Sequence, residues 1–65
     1  MNWDQVSGQW AQLKGKFKEK WGNLTDDDLD KIEGRRDQLI GKIQQRYRVP
    51  KEPVEKHVDQ WINAL

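Results

Sequence analysis

The sequence contains no cysteine among its 65 residues, which excludes a disulfide framework and a thiolate metal site. A chain of this length buries only about 60% of the surface that it exposes when unfolded. The hydrophobic core must therefore be small, and we expect the net stability of the fold to be modest. The lack of cysteine also suits a reducing compartment.

Long apolar runs are absent as well, and none approaches the ~20 residues that a membrane-spanning helix needs. The first residues, MNWDQVSGQW, lack the basic start and the apolar stretch of a signal peptide. We therefore expect one soluble cytoplasmic domain, residues 1–65, that is a monomer and does not enter a membrane. Its 12 basic and 11 acidic residues leave a net charge of +1, which argues against strong nonspecific attraction to phosphate.

Side chains suited to catalysis are scarce. His57 is the sole histidine, and Ser7 and Thr25 are the only serine and threonine. No spacing pairs a nucleophile with a base or forms a histidine metal motif, so we expect neither an enzyme nor a bound cofactor, and a surface position for His57. The acidic segment 26–30 lacks the glycine and the terminal glutamate of a calcium loop, and we interpret it as the start of a helix.

An internal repeat is the main feature that the sequence does contain. The segment 10–21, WAQLKGKFKEKW, aligns with the segment 36–47, RDQLIGKIQQRY, at an offset of 26 residues. The identical positions are Gln12 and Gln38, Leu13 and Leu39, Gly15 and Gly41, and Lys16 and Lys42. We interpret the two segments as parts of two copies of one helical unit.

Apolar residues recur at steps of three and four, which is the spacing of one face of an α-helix. Asn2 and Thr25 are suited to cap helix starts, Gly22 to end a helix in a left-handed conformation, and Pro53 to occupy a first turn. The predicted helices are 3–21, 26–33, 35–47 and 53–64. The fold class is therefore all-α, with four helices, and the short loop after the first helix predicts an αα-hairpin.

Two interpretations of the segment 26–47 are open: one continuous helix, or two helices with a bend at Gly34. We favour the bend because glycine costs ~1 kcal/mol in a helix interior. Gly8 has the equivalent place in the first unit. On a helical projection Gly8, Gly15, Gly34 and Gly41 all point away from the apolar stripes, so we expect them on the solvent face. There the bare backbone either only bends the helix or keeps the chain marginally stable, or it admits close approach by another chain or a phosphate group.

The apolar stripes predict the core. The predicted core residues are Trp3, Val6, Trp10, Leu13, Phe17, Trp21, Leu24, Leu29, Ile32, Leu39, Ile40, Ile43, Tyr47, Val49, Val54, Val58, Trp61, Ile62 and Leu65. The tryptophans are therefore assigned to packing rather than to an aromatic binding surface, with Trp3 the most exposed of them. Met1 is expected to be loose.

Basic residues concentrate in the segments 14–20 and 35–51, and an acidic block, 26–33, lies between them. Helix dipoles and solvation of helix faces explain most of this pattern, and a binding surface is the alternative. The candidate partner-binding residues are Lys14, Lys16, Lys18, Arg35, Arg36 and Lys42. Nucleic acid is the less favoured partner because the acidic block can neutralise the bases in the fold.

Two runs carry a family resemblance: GQWAQLKGKFKEKWGNLTDDD from Gly8 to Asp28, and IEGRRDQLIGKIQQRY from Ile32 to Tyr47. Together they resemble the CsbD-like family of small bacterial general-stress proteins, particularly its YjbJ-type members. The resemblance extends over about residues 2–47 and weakens beyond Arg48.

The resemblance implies a cytoplasmic protein induced under stress or in stationary phase. It also implies a small four-helix bundle of two crossed helical hairpins, similar to the SAM-domain class, and supplies no catalytic residue, cofactor or defined partner. The first functional interpretation is a non-enzymatic stress-response protein of undefined biochemical activity. The alternative is a helical interaction module that binds nucleic acid or a protein partner through its basic faces.

Overall fold

The computed structural model describes all 65 residues and contains five α-helices and no β-strand. The helices are α1 Trp3–Gly8, α2 Trp10–Lys20, α3 Asp26–Ile32, α4 Arg36–Tyr47 and α5 Lys51–Ala64. The predicted all-α class is confirmed. The predicted number of helices is wrong by one because the first predicted helix is divided in two.

Capping boxes start α1 and α3 at the predicted residues. Asn2 Oδ1 accepts a hydrogen bond from the Gln5 N–H at 2.8 Å, and Gln5 Oε1 accepts one from the Asn2 N–H at 3.0 Å. Thr25 and Asp28 make the same reciprocal pair at 3.0 and 3.1 Å. These bonds satisfy N–H groups that have no acceptor within the first turn of a helix, so they fix where each helix begins.

The predicted helix 3–21 is interrupted at Gln9. The Gln9 N–H donates to the carbonyls of both Gln5 and Val6, at 3.1 and 3.2 Å, which tightens the last turn of α1. The Gln9 carbonyl in turn accepts from the N–H groups of Gln12 and Leu13, both at 3.0 Å, and so begins α2. One residue therefore ends one helix and starts the next.

The favoured bend at Gly34 is confirmed. Glu33 ends α3 in the left-handed conformation with a φ of 53°, and Gly34 follows with a φ of 76°. Gly34 is the repeat counterpart of Gly8, the last residue of α1. Each copy of the repeat is thus a short helix and a longer helix, with an equivalent glycine at or next to the break between them.

Two further boundaries differ from the prediction. Helix α5 begins at Lys51, so Pro53 is its third residue rather than its first. A proline is tolerated there because the N–H groups of the first turn have no acceptor in the helix. Gly22 does not adopt the predicted left-handed conformation, since α2 already ends at Trp21, whose φ is −120°.

The core is a single cluster of 14 buried apolar residues, all of them predicted. Of the other five predicted core residues, Trp3, Tyr47 and Trp61 pack against the cluster and are partly buried, while Val49 and Leu65 are each 36% exposed. Val49 and Leu65 lie outside regular helix, where the period of an apolar stripe no longer determines which side faces inward.

Aromatic rings form the centre of this core. The Phe17 ring lies 4.8 Å from the rings of both Trp10 and Trp61, and Trp21 lies 5.1 Å from Trp61 in an edge-on arrangement. Trp10 and Trp21 are only 8% and 7% exposed, as predicted. Edge-on and tilted ring pairs at these separations are favourable beyond the area that they bury.

Three polar contacts join residues that are distant in the chain. The Trp10 indole Nε1–H donates to the Leu29 carbonyl at 2.8 Å, which connects α2 to α3. The Met1 amino group donates to the Ile62 carbonyl at 3.0 Å, so the prediction that Met1 is loose is wrong. Ser7 Oγ–H donates to the carbonyl of Gly34 at 2.8 Å and joins the two helix breaks.

The predicted solvent position of the glycines holds for three of the four. Gly8, Gly15 and Gly41 are exposed, and a Cβ added to any of them would meet no atom within 4 Å. The prediction is wrong for Gly34, which is buried against Ser7. It fails because a helical projection assumes a straight helix, and Gly34 lies at the bend.

Candidate functional site

The six candidate partner-binding residues are not brought together into one surface. On α2, Lys14 Nζ lies 2.6 Å from Asp30 Oδ1, and Lys18 Nζ lies 2.8 Å from Asp26 Oδ1. Both ion pairs cross to α3, so these lysines hold the predicted α2–α3 hairpin together. The Lys18 ammonium lowers the pKa of Asp26, first through the hydrogen bond and then through its charge.

The candidates of the second basic run are also paired. Arg36 Nε lies 2.9 Å from Asp59 Oδ1, and its Nη2 lies 3.4 Å from Glu55 Oε2, which ties α4 to α5. The hydrogen bond from Arg36 is the largest cause of the lowered pKa of Asp59. Arg35 lies 3.8 Å from Glu33 in a loose, exposed pair.

Asp28 is the one buried charged residue of the chain, at 2% exposure. Arg46 donates two hydrogen bonds to it, from Nε to Oδ2 at 2.8 Å and from Nη2 to Oδ1 at 3.0 Å. The ammonium of Lys42, another of the six candidates, lies 3.7 Å from Asp28 Oδ1. The Arg46 hydrogen bonds are the largest cause of a pKa for Asp28 far below its usual range, and the Thr25 backbone N–H adds to it. The acidic segment is thus a helix start and an anchor for α4, and no group of acidic or histidine side chains is arranged to hold a metal ion.

Lys16 is the only one of the six candidates with no carboxylate within 4 Å. Lys20, one turn further along α2, is also in no ion pair. The lysines of α2 therefore divide by helix face, because residues four apart share a face. Lys14 and Lys18 face the acids of α3, and Lys16 and Lys20 face away from them.

Lys20 lies at the edge of an apolar groove of about 300 Å³. The end of α2, the end of α4, the connection after α4 and the start of α5 together form it. Its lining residues are Lys20, Trp21, Ile43, Tyr47, Val49, Pro53, Val54 and His57. Tyr47 is fixed in the wall by its hydroxyl oxygen, which accepts a hydrogen bond from the Asn23 N–H at 3.1 Å.

Lys20 and His57 also line a second, shallower recess together with Gln60 and Trp61. A third recess shares Lys20 and Trp61 with it and adds Lys16 and Glu19. The groove therefore continues as a strip across α5 toward Trp61, whose ring packs on Phe17 beneath. We call the groove and these two recesses the α2–α5 strip.

Sequence reasoning missed this surface. Val49 and Tyr47 were assigned to the core by their apolar character, and Lys20 was treated as one more lysine of a solvated run. The available signal was the proline that follows Val49, because it ends α4 and leaves the valine on an irregular connection. Trp21, Ile43 and Val54 at its base are buried as predicted, and His57 lies at the surface as predicted.

The fold and its contacts define a class: a small all-helical domain with an aromatic core, in which ion pairs join the helices and one strip keeps unpaired lysines beside apolar side chains. The family model described as CsbD-like matches residues 4–56. The chain belongs to the CsbD-like family.

Relatives of similar length support this assignment. The chain is 64% identical to a UPF0337 protein of Pectobacterium atrosepticum and 59% identical to the UPF0337 protein YjbJ of Escherichia coli K12, in each case over 94% of this chain and 88% of the relative. It is 62% identical to a UPF0337 protein of Rhodopseudomonas palustris over 100% of this chain and 98% of the relative. The similarity therefore includes the last helix, which the two sequence runs quoted above do not reach.

No solved structure matches the chain significantly. Among the five helices, none has the length and apolar character required to cross a membrane.

Proposed function

We propose that this chain is a non-enzymatic, cytoplasmic protein of the bacterial stress response that acts by binding another macromolecule. The association with stress and the cytoplasm rests on the CsbD-like resemblance. The binding role rests on the α2–α5 strip, where apolar side chains and unpaired lysines meet at the surface.

The observation that carries the non-enzymatic part of the proposal is the engagement of the polar side chains that could do chemistry. Ser7 Oγ–H donates to the Gly34 carbonyl, and Thr25 Oγ1 accepts from the Asp28 N–H. Asp28 itself is held by Arg46. A nucleophile must be free to attack and must have a base within hydrogen-bond distance, whereas these groups are committed to holding helices in place.

The arrangement of two crossed helical hairpins, similar to the SAM-domain class, is part of the same proposal. Its support is the α2–α3 hairpin, joined by the Lys14–Asp30 and Lys18–Asp26 pairs, and the packing of α4 on α5 through Arg36. An experimental structure compared with SAM domains tests it.

Binding of nucleic acid or protein through the six candidate bases is a second proposal with less support. Five of these bases lie within 4 Å of a carboxylate of the same chain, so a partner would have to displace those contacts. Lys16 is the exception and lies on the strip. A DNA titration at low and high salt tests this alternative, since phosphate binding by lysines weakens steeply with salt.

Crosslinking in living bacteria tests the main proposal. A photoreactive amino acid is placed at Val49 or, as a control on the surface outside the strip, at Leu65, and crosslinks are compared between growth and stationary phase. We expect a discrete crosslinked product in stationary phase. Reproducible turnover by the purified protein that is lost on changing one polar residue would refute the non-enzymatic assignment.

A further inference from the structure

The two lysine faces of α2 are used differently. Lys14 and Lys18 are paired with Asp30 and Asp26, whereas Lys16 and Lys20 have no acid within 4 Å and lie along the α2–α5 strip. The groove itself is lined by one charged side chain, that of Lys20, and by no acidic one. Glu19, the only carboxylate on the strip, lies in the recess at the Trp61 end. The groove end of the strip is therefore complementary to negative charge.

The apolar part of the strip is suited to hold side chains of a partner. Five of the eight groove residues are hydrophobic, and Val49 is 36% exposed at its edge. Tyr47 in the groove and Trp61 further along are only partly buried and provide rigid aromatic surface, which contributes strongly to binding at protein interfaces. The buried Phe17 ring supports Trp61 from below, and Trp21 packs against both rings.

The shape of the strip distinguishes between classes of ligand. Small-molecule sites enclose most of their ligand, but this groove is open and continues past Lys20 and His57 to Trp61. An elongated surface of that kind fits an extended or helical chain segment. A nucleic acid would present several phosphates to a wall that is mostly apolar, so a peptide agrees better with the lining.

We propose that the α2–α5 strip is a docking site for an acidic segment of a partner protein, one that places apolar side chains in the groove and carboxylates beside Lys20 and Lys16. The inference rests on the proposed binding function and deepens it by naming the surface and the chemistry of the partner. Apolar burial supplies affinity, and the unpaired lysines select for acidic sequence.

A fluorescein-labelled peptide in which glutamate alternates with leucine is the probe, and fluorescence anisotropy is the readout. Two matched peptides, with lysine in place of glutamate or with serine in place of leucine, separate the two contributions. We expect saturable binding of the acidic apolar peptide, weaker binding at high salt, and no binding of either matched peptide at the same concentrations.

Two variants test the site. Lys20→Glu reverses a charge at the centre of the strip and should weaken binding by about three- to tenfold, as expected for the loss and reversal of one exposed ion pair. Val49→Asp places a carboxylate at the edge of the groove and should weaken binding at least as much. Both positions are exposed, and circular dichroism melts verify that each variant is folded.

The chain offers a matched control for each variant. Lys56→Glu makes the same charge change on α5, at an exposed residue in no ion pair and outside the strip. Leu65→Asp makes the same polarity change at a residue whose exposure of 36% equals that of Val49. Both controls should bind the peptide like the unchanged protein.

Several results would overturn the inference: no binding of the acidic peptide, equal binding of the basic peptide, or equal weakening by the strip variants and their controls. Self-association through the strip, detected by sedimentation and lost in Val49→Asp, would identify a second copy as the occupant instead. If crosslinks form in cells from position 65 but not from position 49, the strip is not the site, although the proposed binding function stands. If neither peptide binding nor crosslinks are found, both proposals fail.

Discussion

At the scale of single residues, Gly34 is a position that does not tolerate a larger side chain. Its φ of 76° lies in the region that side chains with a Cβ rarely adopt, and an added Cβ would come within 2.7 Å of Ser7 Cα. The neighbouring atom is backbone, so it cannot rotate away. Glycine is therefore required here both by conformation and by packing.

Substitution of glycines should have opposite effects at different positions. Gly34→Ala should lower the free energy of unfolding by more than about 2 kcal/mol, because left-handed strain adds to a backbone clash. Gly15→Ala should raise it by up to ~1 kcal/mol, since Gly15 is exposed within α2 and an added Cβ meets nothing. Urea unfolding followed by circular dichroism measures both. A stabilising Gly34→Ala would contradict the described contact with Ser7.

The spacing of apolar residues predicted which side chains pack in the core, but not which hydrogen bonds they make. Trp10 was placed in the core by its spacing from Leu13 and Phe17, and it is buried there. That its indole N–H donates to the Leu29 carbonyl could not be foreseen, because the bond depends on how α2 crosses α3. Gly34 was placed at a bend correctly, but its burial depends on the opposite break near Ser7.

At the scale of the helices, the interruptions are harder to predict than the starts. The starts of α1 and α3 follow from capping boxes, which are local in sequence. The break at Gln9 has no proline and no side-chain cap, so local signals favoured a single helix. The repeat held the missing information, since Gly8 is equivalent to Gly34 and both units break at the same place.

The buried carboxylate of Asp28 joins α3 to α4 and should make stability depend on pH. Its pKa in the folded state lies well below the ordinary value of 3.8, so the unfolded chain binds a proton more readily. The stabilisation is therefore present above about pH 4 and decreases as the pH falls below that value. Loss of stability on acidification is the expected sign.

Removal of the charge should remove this dependence. Asp28→Asn should cost about 2 kcal/mol at pH 7, because Arg46 loses an ionic partner and the Asp28 site is buried. It should also flatten the decline in stability below pH 4. Asp27→Asn is the matched control, since Asp27 pairs with Lys31 at an exposed site, and its effect should be within about 0.5 kcal/mol. Thermal melts at several pH values compare the three proteins, and equal acid sensitivity in all of them would exclude Asp28 as the source.

For the molecule as a whole, one aromatic cluster joins α2 to α5. Phe17 is fully buried and touches tryptophans of α2 and α5, so its ring packs between these two helices. A domain of this size has a small free energy of unfolding. The consequence is that core changes act on the entire chain rather than on one helix.

Phe17→Ala should therefore abolish the fold. Removal of a buried phenylalanine costs roughly 3–5 kcal/mol, which is comparable to the total stability expected here. Phe17→Leu keeps most of the volume and should stay folded with a lower melting temperature. Near-ultraviolet circular dichroism, which reports the packed tryptophans, distinguishes the two outcomes. A folded Phe17→Ala protein would mean that the core is larger or more adaptable than described.

The helical class, the αα-hairpin and the identity of the core followed from sequence because they depend on periodicity. The α2–α5 strip did not, because it combines the end of α2, the connection at Val49 and the face of α5 that carries His57 and Trp61. Pairing of the bases with the acidic block was expected and is found for Lys14, Lys18, Arg35 and Lys42, but the individual partners, and the pairing of Arg36 with α5, could not be predicted. Periodicity describes one helix at a time, whereas a surface depends on several.

The contact between Ser7 and Gly34 also bears on how the duplicated halves can diverge. After a duplication both copies start with the same glycine, but only position 34 is enclosed by the other copy. Mutational drift should therefore be unequal among descendants of this chain, with position 34 remaining glycine and position 8 accepting other amino acids. The glycine that the two halves share would then be lost at the exposed break and retained at the enclosed one.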